Sequence, residues 1–480
     1  MDIATLLQPY NPWVEQGDKG LREVPEFTRP VFHDLIGDVQ KLRQILSITG
    51  PRRVGKSTLL RQLVRHNLRQ GYPSELLIYY SLDDPALFRP SIDRDGFMDA
   101  LMLEARRRAG RAGPRRAFLF LDEIQRLERW ELYLKKYYDL HYPVRLIVSG
   151  SASSPIFKKS RESLLGRVKD YHLLPFSFRE FLLYSFRGDR ELMEEMEEVH
   201  REGLAVKGVL AGGPRHLGLQ SVPIRPLGDR LWRSANEALG GYLREGGFPE
   251  VWTMPTWEQK IEYLYDNQVK KVIYEDLVLA AEFRKPEQLK RFYISLLEQP
   301  GREVNLSKIA AETGILPAQG EKYLPLLEMT DLVAHIEKFR RSALRVRRGS
   351  VKFYLVDLAL RNAVLRLPDA GLGDAATMGF YAENLVFNAL RKWQGAVAID
   401  YYRERDEEVD FVVHVGSRKY VPFEVKYRDL ITEQDLRPIR NFLRRFSPVP
   451  GIVITKRRED FGTRDGLFSI PLIRFLLMFD

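Results

Sequence analysis

The chain has 480 residues, 44% hydrophobic and 29% charged, which excludes a largely disordered protein and indicates several globular domains. Its 75 Lys and Arg residues outnumber 65 Asp and Glu residues, so the net charge is +10 and a polyanionic partner is expected, nucleic acid before membrane. The absence of Cys excludes disulfide scaffolds, thiol nucleophiles and Cys-ligated zinc. The first residues do not resemble a secretory signal and no 18-residue apolar run occurs, so we expect a cytoplasmic protein without a membrane span.

The positive charge is carried mainly by Arg, which is more than twice as frequent as Lys. Arg binds phosphate with a planar fork and stays charged at any cellular pH. A GC-rich or thermophilic genome explains the same excess equally well. The positions of the Arg residues along the chain must therefore decide between the two explanations.

A phosphate-binding loop is predicted at residues 50–57, whose sequence GPRRVGKS fits the pattern G-x-x-x-x-G-K-[ST]. An apolar strand at 45–48 precedes the loop and an amphipathic helix at 58–67 follows it. Glycines let backbone amides wrap a phosphate, and the helix N-terminus adds a partial positive charge. The predicted nucleotide-binding residues of this segment are Gly50, Pro51, Arg52, Arg53, Val54, Gly55, Lys56, Ser57 and Thr58.

A pair of carboxylates, Asp122 and Glu123, follows the apolar strand at 117–121, which is the form of a Walker B segment. We expect Lys56 to bind the β- and γ-phosphates of ATP, and Ser57 and Asp122 to hold Mg²⁺. Glu123 would polarise the attacking water. The alternative is an acidic turn at the end of a strand, which the phosphate-binding loop upstream disfavours.

Five segments, GPRRVGKST, LDEIQ, VSGSASS, SLLGRV and LPFSFREFL, resemble in this order a group of bacterial and archaeal AAA-type ATPases. The strings Asn11-Pro12-Trp13 and Gly246-Gly247-Phe248-Pro249 also fit this group. The resemblance implies an α/β fold: a P-loop AAA-type ATPase core with a helical lid, a winged helix-turn-helix and a restriction-endonuclease-like domain of the PD-(D/E)xK class. The implied domains are an N-terminal arm (1–28), the ATPase core (29–178), the lid (179–282), the winged helix (283–366) and the nuclease-like domain (367–480).

The resemblance also implies an oligomer. Arg167 would act as an arginine finger that completes the ATP site of a neighbouring copy, with Arg161 as the alternative. A solvated charge at a helix end is the plain reading of either residue. A finger supplied in trans requires a homo-oligomer, of which a hexameric ring is one form.

Small polar residues end the strand at 144–148, where ring-forming ATPases carry a sensor of the γ-phosphate. Ser149 or Ser151 is the candidate sensor, and Ser151 is also a candidate helix N-cap. The glycines at 246–247 would place a helix start near the phosphates. The similar string at 212–215 contains Arg215, a conceivable second sensor for which an ordinary turn is the simpler reading.

A helix-turn-helix pattern is predicted from helices at 307–313 and 317–328 and a hairpin at 332–357. Its basic tip would contact the phosphate backbone of DNA through Arg340, Arg341, Arg345, Arg347 and Arg348. A protein contact or a solvated hairpin is the alternative. Pro325 would kink or shorten the second helix, which favours recognition of DNA structure over reading of bases.

A nuclease site is predicted from Glu383 on a helix, Asp410 on a strand, and Glu424 and Lys426 two residues apart on the next strand. Asp410 and Glu424 would hold Mg²⁺ or Mn²⁺, while Lys426 would stabilise the phosphorane and Glu383 would add or orient a ligand. The order resembles the complete PD-(D/E)xK signature. A cross-strand ion pair is the alternative.

Together these motifs predict an ATP-hydrolysing, DNA-binding motor coupled to a metal-dependent endonuclease that acts on branched or structured DNA. The catalytic residues would be Glu123, Arg167, Glu383, Asp410, Glu424 and Lys426. The alternative is an ATP-dependent regulatory switch whose nuclease-like domain only binds DNA or a protein partner.

Overall fold

A computed structural model describes residues 3–88, 94–113, 115–151, 164–212, 222, 224–277, 285–299, 301–340, 350–367, 374–416, 419–446 and 450–480. The chain divides into two compact units. Unit 1 comprises Met1–Leu174 and Glu275–Phe283, and unit 2 comprises Pro175–Tyr274 and Arg284–Asp480. Among the helices of the described ranges, none combines the length and the apolar character needed to cross a bilayer.

The described part of unit 1 is built on a parallel sheet of five strands in the order β2-β3-β4-β1-β5. The strands are β1 Ile45–Gly50, β2 Leu77–Ser81, β3 Ala117–Asp122, β4 Val144–Ser151 and β5 Val168–His172. The helices are α1 Ile3–Leu7, α2 Trp13–Gln16, α3 Val31–Lys41, α4 Lys56–Arg69, α5 Arg94–Arg111 and α6 Trp130–Asp139. The three strands β1, β2 and β3 are buried along their whole length, as expected of a covered parallel sheet. This confirms the strands and the helix predicted around the phosphate-binding loop.

The Asn11-Pro12-Trp13 string covers the edge strand β2. The side-chain amide of Asn11 accepts a hydrogen bond from the Tyr79 N–H (2.7 Å) and donates one to the Tyr79 carbonyl (2.9 Å). The indole of Trp13 donates to the carbonyl of Leu77 (3.0 Å). These side chains satisfy edge groups that would otherwise be open to another strand.

The described part of unit 2 holds a nine-stranded mixed sheet in the order β13-β14-β12-β11-β10-β9-β7-β8-β6. Its strands are β6 Glu303–Val304, β7 Val333–Lys338, β8 Val351–Leu355, β9 Ala398–Glu404, β10 Glu407–Gly416, β11 Lys419–Lys426, β12 Gly451–Thr455, β13 Gly462–Arg464 and β14 Leu467–Pro471. The parallel pair β7–β9, with Glu337 opposite Asp400, joins the hairpin strands to the C-terminal strands. One sheet therefore runs across the boundary expected at 366/367.

Helices account for most of the remaining residues described in unit 2. They are α7 Phe178–Ser185, α8 Arg190–Ala211, α9 Asp229–Glu245, α10 Trp257–Leu264, α11 Pro286–Leu297, α12 Leu306–Glu312, α13 Pro317–Met329, α14 Leu358–Val364, α15 Ala375–Leu390, α16 Glu433–Phe446 and α17 Leu472–Phe479. The helix α13 continues through Pro325 to Met329, so the proline does not shorten the helix, and the alternative, a kink, stays a prediction.

The helices predicted as a lid pack against the last helix of unit 2. Gly203 of α8 lies so close to α17 that a Cβ atom there would be 2.0 Å from the Met478 carbonyl oxygen. The ammonium of Lys207, one turn further along α8, donates to the Phe479 carbonyl (3.0 Å). The predicted lid segment therefore shares a core with the C-terminal segment.

The glycines at 246–247 form a close contact inside unit 2. The Gly247 N–H donates to the buried carboxylate of Asp357 (2.7 Å), and the Gly247 carbonyl accepts from the Phe176 N–H (2.8 Å). Pro249–Thr253 forms only a short 3-10 helix after them. These contacts give the glycines a packing role, whereas the sequence predicted a helix start beside the phosphates.

Candidate functional site

The predicted phosphate-binding loop joins the end of β1 to the start of α4. Gly55 has φ +96° immediately before Lys56, the first residue of the helix. Gly50 has φ +143°, and a Cβ atom there would lie 2.0 Å from the carbonyl oxygen of Leu173. Both positions therefore require glycine. The buried ammonium of Lys56 donates to the carbonyls of Gly50 (3.0 Å) and Pro51 (2.6 Å), so the loop curls around it.

Three residues distant in sequence, Arg29, Glu275 and Asp276, contact this loop. The buried guanidinium of Arg29 donates to the carbonyl of Val54 (3.3 Å) and to that of Leu174 (2.8 Å). The Arg52 Nε donates to a carboxylate oxygen of Asp276 (3.0 Å), and Glu275 lies 3.6 Å from the same guanidinium. Sequence reasoning missed Arg29 and the acidic pair, because nothing near them marks a contact with the loop.

The carboxylate of Asp122, at the end of β3, is buried and accepts three hydrogen bonds. The donors are the Tyr79 hydroxyl (2.7 Å), the Glu123 N–H (3.1 Å) and the Ser149 hydroxyl. These contacts hold the carboxylate in one orientation at the carboxyl end of the sheet. The sequence did not reveal this role of Tyr79, because no local pattern distinguishes Tyr79 from its neighbour Tyr80, which donates to Asp84 instead.

The register of β4 separates the two candidate sensors. Val148 lies opposite Leu121 of β3, so the next residue, Ser149, reaches Asp122. Ser151 lies opposite Gly50 at the start of the phosphate-binding loop and is buried. Both serines therefore border the predicted phosphate site, and Ser149 contacts the Walker B carboxylate.

Glu123 follows Asp122 in a left-handed backbone conformation, with φ +54°. The Gln125 side-chain amide donates to its carboxylate (2.5 Å). Burial raises the pKa of Glu123, although the positive charge of Lys56 and the Gln125 hydrogen bond act in the opposite direction. The positive charge of Lys56 therefore acts on the Glu123 carboxylate, as expected of a carboxylate beside a phosphate-binding loop.

The donor set at the loop fits a hard divalent cation. The Ser57 hydroxyl and the Asp122 carboxylate would supply oxygen ligands, which Mg²⁺ prefers, and phosphate oxygens would complete its coordination. The nucleotide-binding residues expected from sequence thus lie around one end of the sheet.

Arg167 lies at the opposite end of that sheet. Its carbonyl accepts from the N–H of Ile45 at the start of β1 (2.9 Å), whereas the loop begins at the other end, Gly50. Six residues of strand separate these ends by about 16 Å. The Arg167 guanidinium is paired with Asp139 (2.8 Å). A finger role for Arg167 could therefore concern only another copy of the chain, and the alternative, Arg161, lies outside the described residues.

A second cluster of charged side chains, in unit 2, contains the residues predicted for the nuclease. Asp410 on β10 and Glu424 on β11 are linked through the backbone: the Asp410 N–H donates to Glu424 (3.4 Å), and the Val425 N–H donates to Asp410 (2.8 Å). The ammonium of Lys426 contacts Glu424. Burial raises the pKa of Glu424 to about 8, and the nearby charge of Asp410 adds to the shift.

Lys352 of β8 lies in the same cluster and was assigned no role from the sequence. Its ammonium is 2.5 Å from Glu408, 3.2 Å from Glu383 and 3.7 Å from Asp410. Burial disfavours the ammonium, but these carboxylates more than offset it and raise the pKa of Lys352. The signal in the sequence was a lone Lys inside the otherwise apolar strand VKFYL. In the part of the chain that the structure describes, no group of three or more His, Asp or Glu side chains is arranged to hold a metal ion.

The basic hairpin tip lies mostly outside the described residues. Arg340 is described and exposed. The other four arginines of the tip fall on undescribed positions, as do Arg215 and two of the three residues before it. Contact of this tip with DNA stays a prediction.

Three segments of the chain match family models. Residues 42–182 match the model of an AAA domain, and residues 236–371 and 378–475 match two domains of unknown function, DUF8612 and DUF4143. The predicted winged helix and PD-(D/E)xK nuclease are thus supported by none of these matches.

The chain is similar to proteins of several distant organisms. An uncharacterised protein of Methanocaldococcus jannaschii is 21% identical over 402 residues, 82% of this chain and 77% of that protein. An uncharacterised protein of Haemophilus influenzae is 21% identical over 440 residues, covering 90% of this chain and 93% of the relative. An uncharacterised protein of Mycobacterium tuberculosis is 22% identical over 385 residues, covering 80% of this chain and 70% of the relative.

Among solved structures, C. elegans PCH-2 is 11% identical with a TM-score of 0.27, over 50% of this chain and 68% of that chain. AMPPCP-bound DnaA from Aquifex aeolicus is 14% identical with a TM-score of 0.23, over 64% of this chain and 89% of that chain.

Proposed function

We propose that this chain, which contains an AAA-type P-loop ATPase domain at residues 42–182, binds Mg·ATP and hydrolyses it in unit 1. The observation that carries the proposal is the fixed carboxylate of Asp122, held by Tyr79, Ser149 and a backbone N–H at the strand end next to the phosphate-binding loop. Oriented oxygen ligands at that place are what a nucleotide-bound cation requires.

Each loop residue has a chemical role in this proposal. The ammonium of Lys56 exchanges its two loop carbonyls for the β- and γ-phosphate oxygens when the nucleotide binds. Ser57 and Asp122 hold Mg²⁺, which neutralises charge developing on the phosphates. Glu123 orients the attacking water and accepts its proton, which requires the carboxylate to be ionised.

We propose a nucleotide-driven switch, rather than a nuclease, as the function of the whole chain. The carboxylates of Asp410 and Glu424, which a metal-dependent nuclease would need for its cation, lie beside the ammonium groups of Lys352 and Lys426. These fixed positive charges oppose a divalent cation at the same carboxylates. Unit 2 would then bind a partner, for which DNA is favoured by the +10 net charge and the arginines at 340–348. A finger role for Arg167 would require a homo-oligomer in which the residue leaves its partner Asp139 and reaches the ATP site of a neighbouring copy.

The experiment measures ATP hydrolysis by the full chain with Mg²⁺, alone and with linear or branched DNA. The Lys56→Ala variant should lose activity by at least 100-fold, because it removes the charge that binds the phosphates. The control Lys136→Ala removes an exposed Lys paired with Asp99 and should retain wild-type activity. Equal activity of the Lys56→Ala variant and the wild type would refute the proposed site.

The switch is tested by measuring binding of fluorescent DNA in the presence of ATP, of ADP and of no nucleotide. A DNA affinity that differs at least threefold between the nucleotide states supports the switch with DNA as partner. Equal affinities in all states would exclude DNA as its output. DNA cleavage that Lys426→Ala abolishes would favour the nuclease instead.

A further inference from the structure

The buried ammonium of Lys352 is surrounded by carboxylates from two other elements of unit 2. The side chain is only 2% exposed. Glu383 belongs to α15, and Glu408 and Asp410 belong to β10, so the lysine ties β8 to a helix and to a more distant strand of the sheet. A buried charge is tolerated only where opposite charges and hydrogen bonds replace its water. The three carboxylates provide that replacement.

Further protein donors contact the carboxylates around Lys352. The Tyr354 hydroxyl donates to the same Glu383 oxygen that Lys352 contacts (2.7 Å). The two oxygens of Asp410 face Lys352 on one side and the Val425 N–H (2.8 Å) on the other. The Tyr354 hydroxyl and the Val425 N–H donate hydrogen bonds to these oxygens, whereas Lys352 approaches Asp410 as an ion pair at 3.7 Å. A divalent cation needs several oxygens together within about 2.0–2.6 Å, and here the ammonium of Lys352 lies among the carboxylates instead.

The charge of Lys352 also opposes a metal. A divalent cation bound to the Asp410 oxygen that faces the ammonium would lie within about 4–6 Å of a fixed positive charge. Repulsion between like charges at this range is strong where water is excluded. Lys426 adds a second ammonium, which contacts Glu424.

We propose that Lys352 is the resident cation of this carboxylate cluster and that the cluster takes no divalent metal. The proposal disagrees with the metal site expected from Asp410 and Glu424. It deepens the proposed switch function by assigning unit 2 a non-nucleolytic role, but it does not depend on ATP hydrolysis in unit 1. The ammonium of Lys352 connects its own strand β8 to α15 and β10 through ion pairs. A metal ion bound by the same carboxylates would connect α15 and β10 in a similar way.

The test measures Mn²⁺ binding to the full chain without nucleotide, by electron paramagnetic resonance. The wild type and Asp410→Asn should bind the same amount of Mn²⁺, because the cluster contributes no site. Lys352→Ser removes the ammonium, shortens the side chain and leaves the carboxylates in place. It should gain one Mn²⁺ per chain beyond the amount that the wild type binds under the same conditions.

The double variant Lys352→Ser/Asp410→Asn should lose that gained ion, which assigns it to the cluster. Lys260→Ser is the matched control, since Lys260 pairs with Glu245 elsewhere in unit 2 (2.6 Å), and it should gain no ion. One Mn²⁺ in the wild type that Asp410→Asn abolishes would overturn the proposal. A folded Lys352→Ser variant that gains no ion would also overturn it. If that variant does not fold, the comparison of wild type with Asp410→Asn decides alone.

Failure of this proposal is distinguishable from failure of the ATP site. The Mn²⁺ measurements compare variants of unit 2 in the absence of nucleotide. The hydrolysis measurements use Lys56→Ala in unit 1. Either result can stand without the other.

Discussion

The hydroxyl of Tyr79 donates a 2.7 Å hydrogen bond to the carboxylate of Asp122 across the neighbouring strands β2 and β3. Ser81, two residues after Tyr79, lies directly opposite Asp122, so the tyrosine reaches it along the diagonal between strands. The tyrosine is buried, which strengthens a hydrogen bond to an ionised acceptor. Tyr79 therefore acts as a positioning residue for the proposed Mg²⁺ ligand.

Replacing Tyr79 with Phe removes one of the hydrogen bonds that orient the Asp122 carboxylate, so ATP hydrolysis should require more Mg²⁺. We expect the Mg²⁺ concentration for half-maximal activity to rise about tenfold, equivalent to about 1.4 kcal/mol, the order of one hydrogen bond to a charged group. A magnesium titration of steady-state hydrolysis measures this. The control is Tyr80→Phe, on the same strand, whose hydroxyl donates to Asp84 (2.9 Å). An equal shift in both variants would indicate a general effect on β2.

Replacing Gln125 with Ala should move the acidic limb of the pH–rate profile to higher pH. Burial already raises the pKa of Glu123, and the Gln125 hydrogen bond lowers it, so removing Gln125 raises the pKa further. A base works only when ionised, so hydrolysis falls as pH falls through that pKa. The rate measured between pH 5 and 9 checks the direction, and Glu123→Gln should abolish hydrolysis while nucleotide still binds. An acidic limb that moves to lower pH would contradict this.

Replacing Asp276 with Asn should tighten nucleotide binding severalfold. The carboxylate of Asp276 is paired with the guanidinium of Arg52 in the phosphate-binding loop. It therefore competes with the phosphates of the nucleotide for that guanidinium. Titration with a fluorescent nucleotide at low salt measures the change, which should shrink at high salt. Glu275→Gln is the control, because Glu275 is half exposed and 3.6 Å from Arg52, and it should have a smaller effect. Weaker binding by the Asn variant would mean that the ion pair holds the loop in its binding form.

Replacing Gly203 with Ala should destabilise unit 2 by about 2–3 kcal/mol, because the added methyl group would overlap the Met478 carbonyl and force the helices apart. Gly208→Ala is the matched control on the same helix, where a Cβ atom meets nothing within 4 Å. The control should be neutral or stabilising by up to about 1 kcal/mol, since alanine favours the helix. Chemical denaturation of both variants measures the difference. Equal stabilities would show that α17 shifts freely away from α8.

The sequence predicted the local parts of the ATP site, because each is coded within one short segment. The pattern G-x-x-x-x-G-K-S needs only a strand, a loop and a helix in succession, and the structure has β1 and α4 on either side of it. Asp122 and Glu123 likewise end the buried strand β3 where the apolar pattern ends. Apolar runs and glycines are local signals, so reading them requires no knowledge of distant contacts.

The tertiary structure decided which residues meet. Strand register brings Ser149 to Asp122 and Ser151 to Gly50, and no local pattern separates the two serines. Packing brings Lys352 among carboxylates that follow it by 31 or more residues, two of which, Glu383 and Asp410, belong to the predicted nuclease site. The composition determines the net charge of +10. Only the fold shows which charged side chains are buried and paired with an opposite charge, because burial and pairing depend on neighbours distant in sequence.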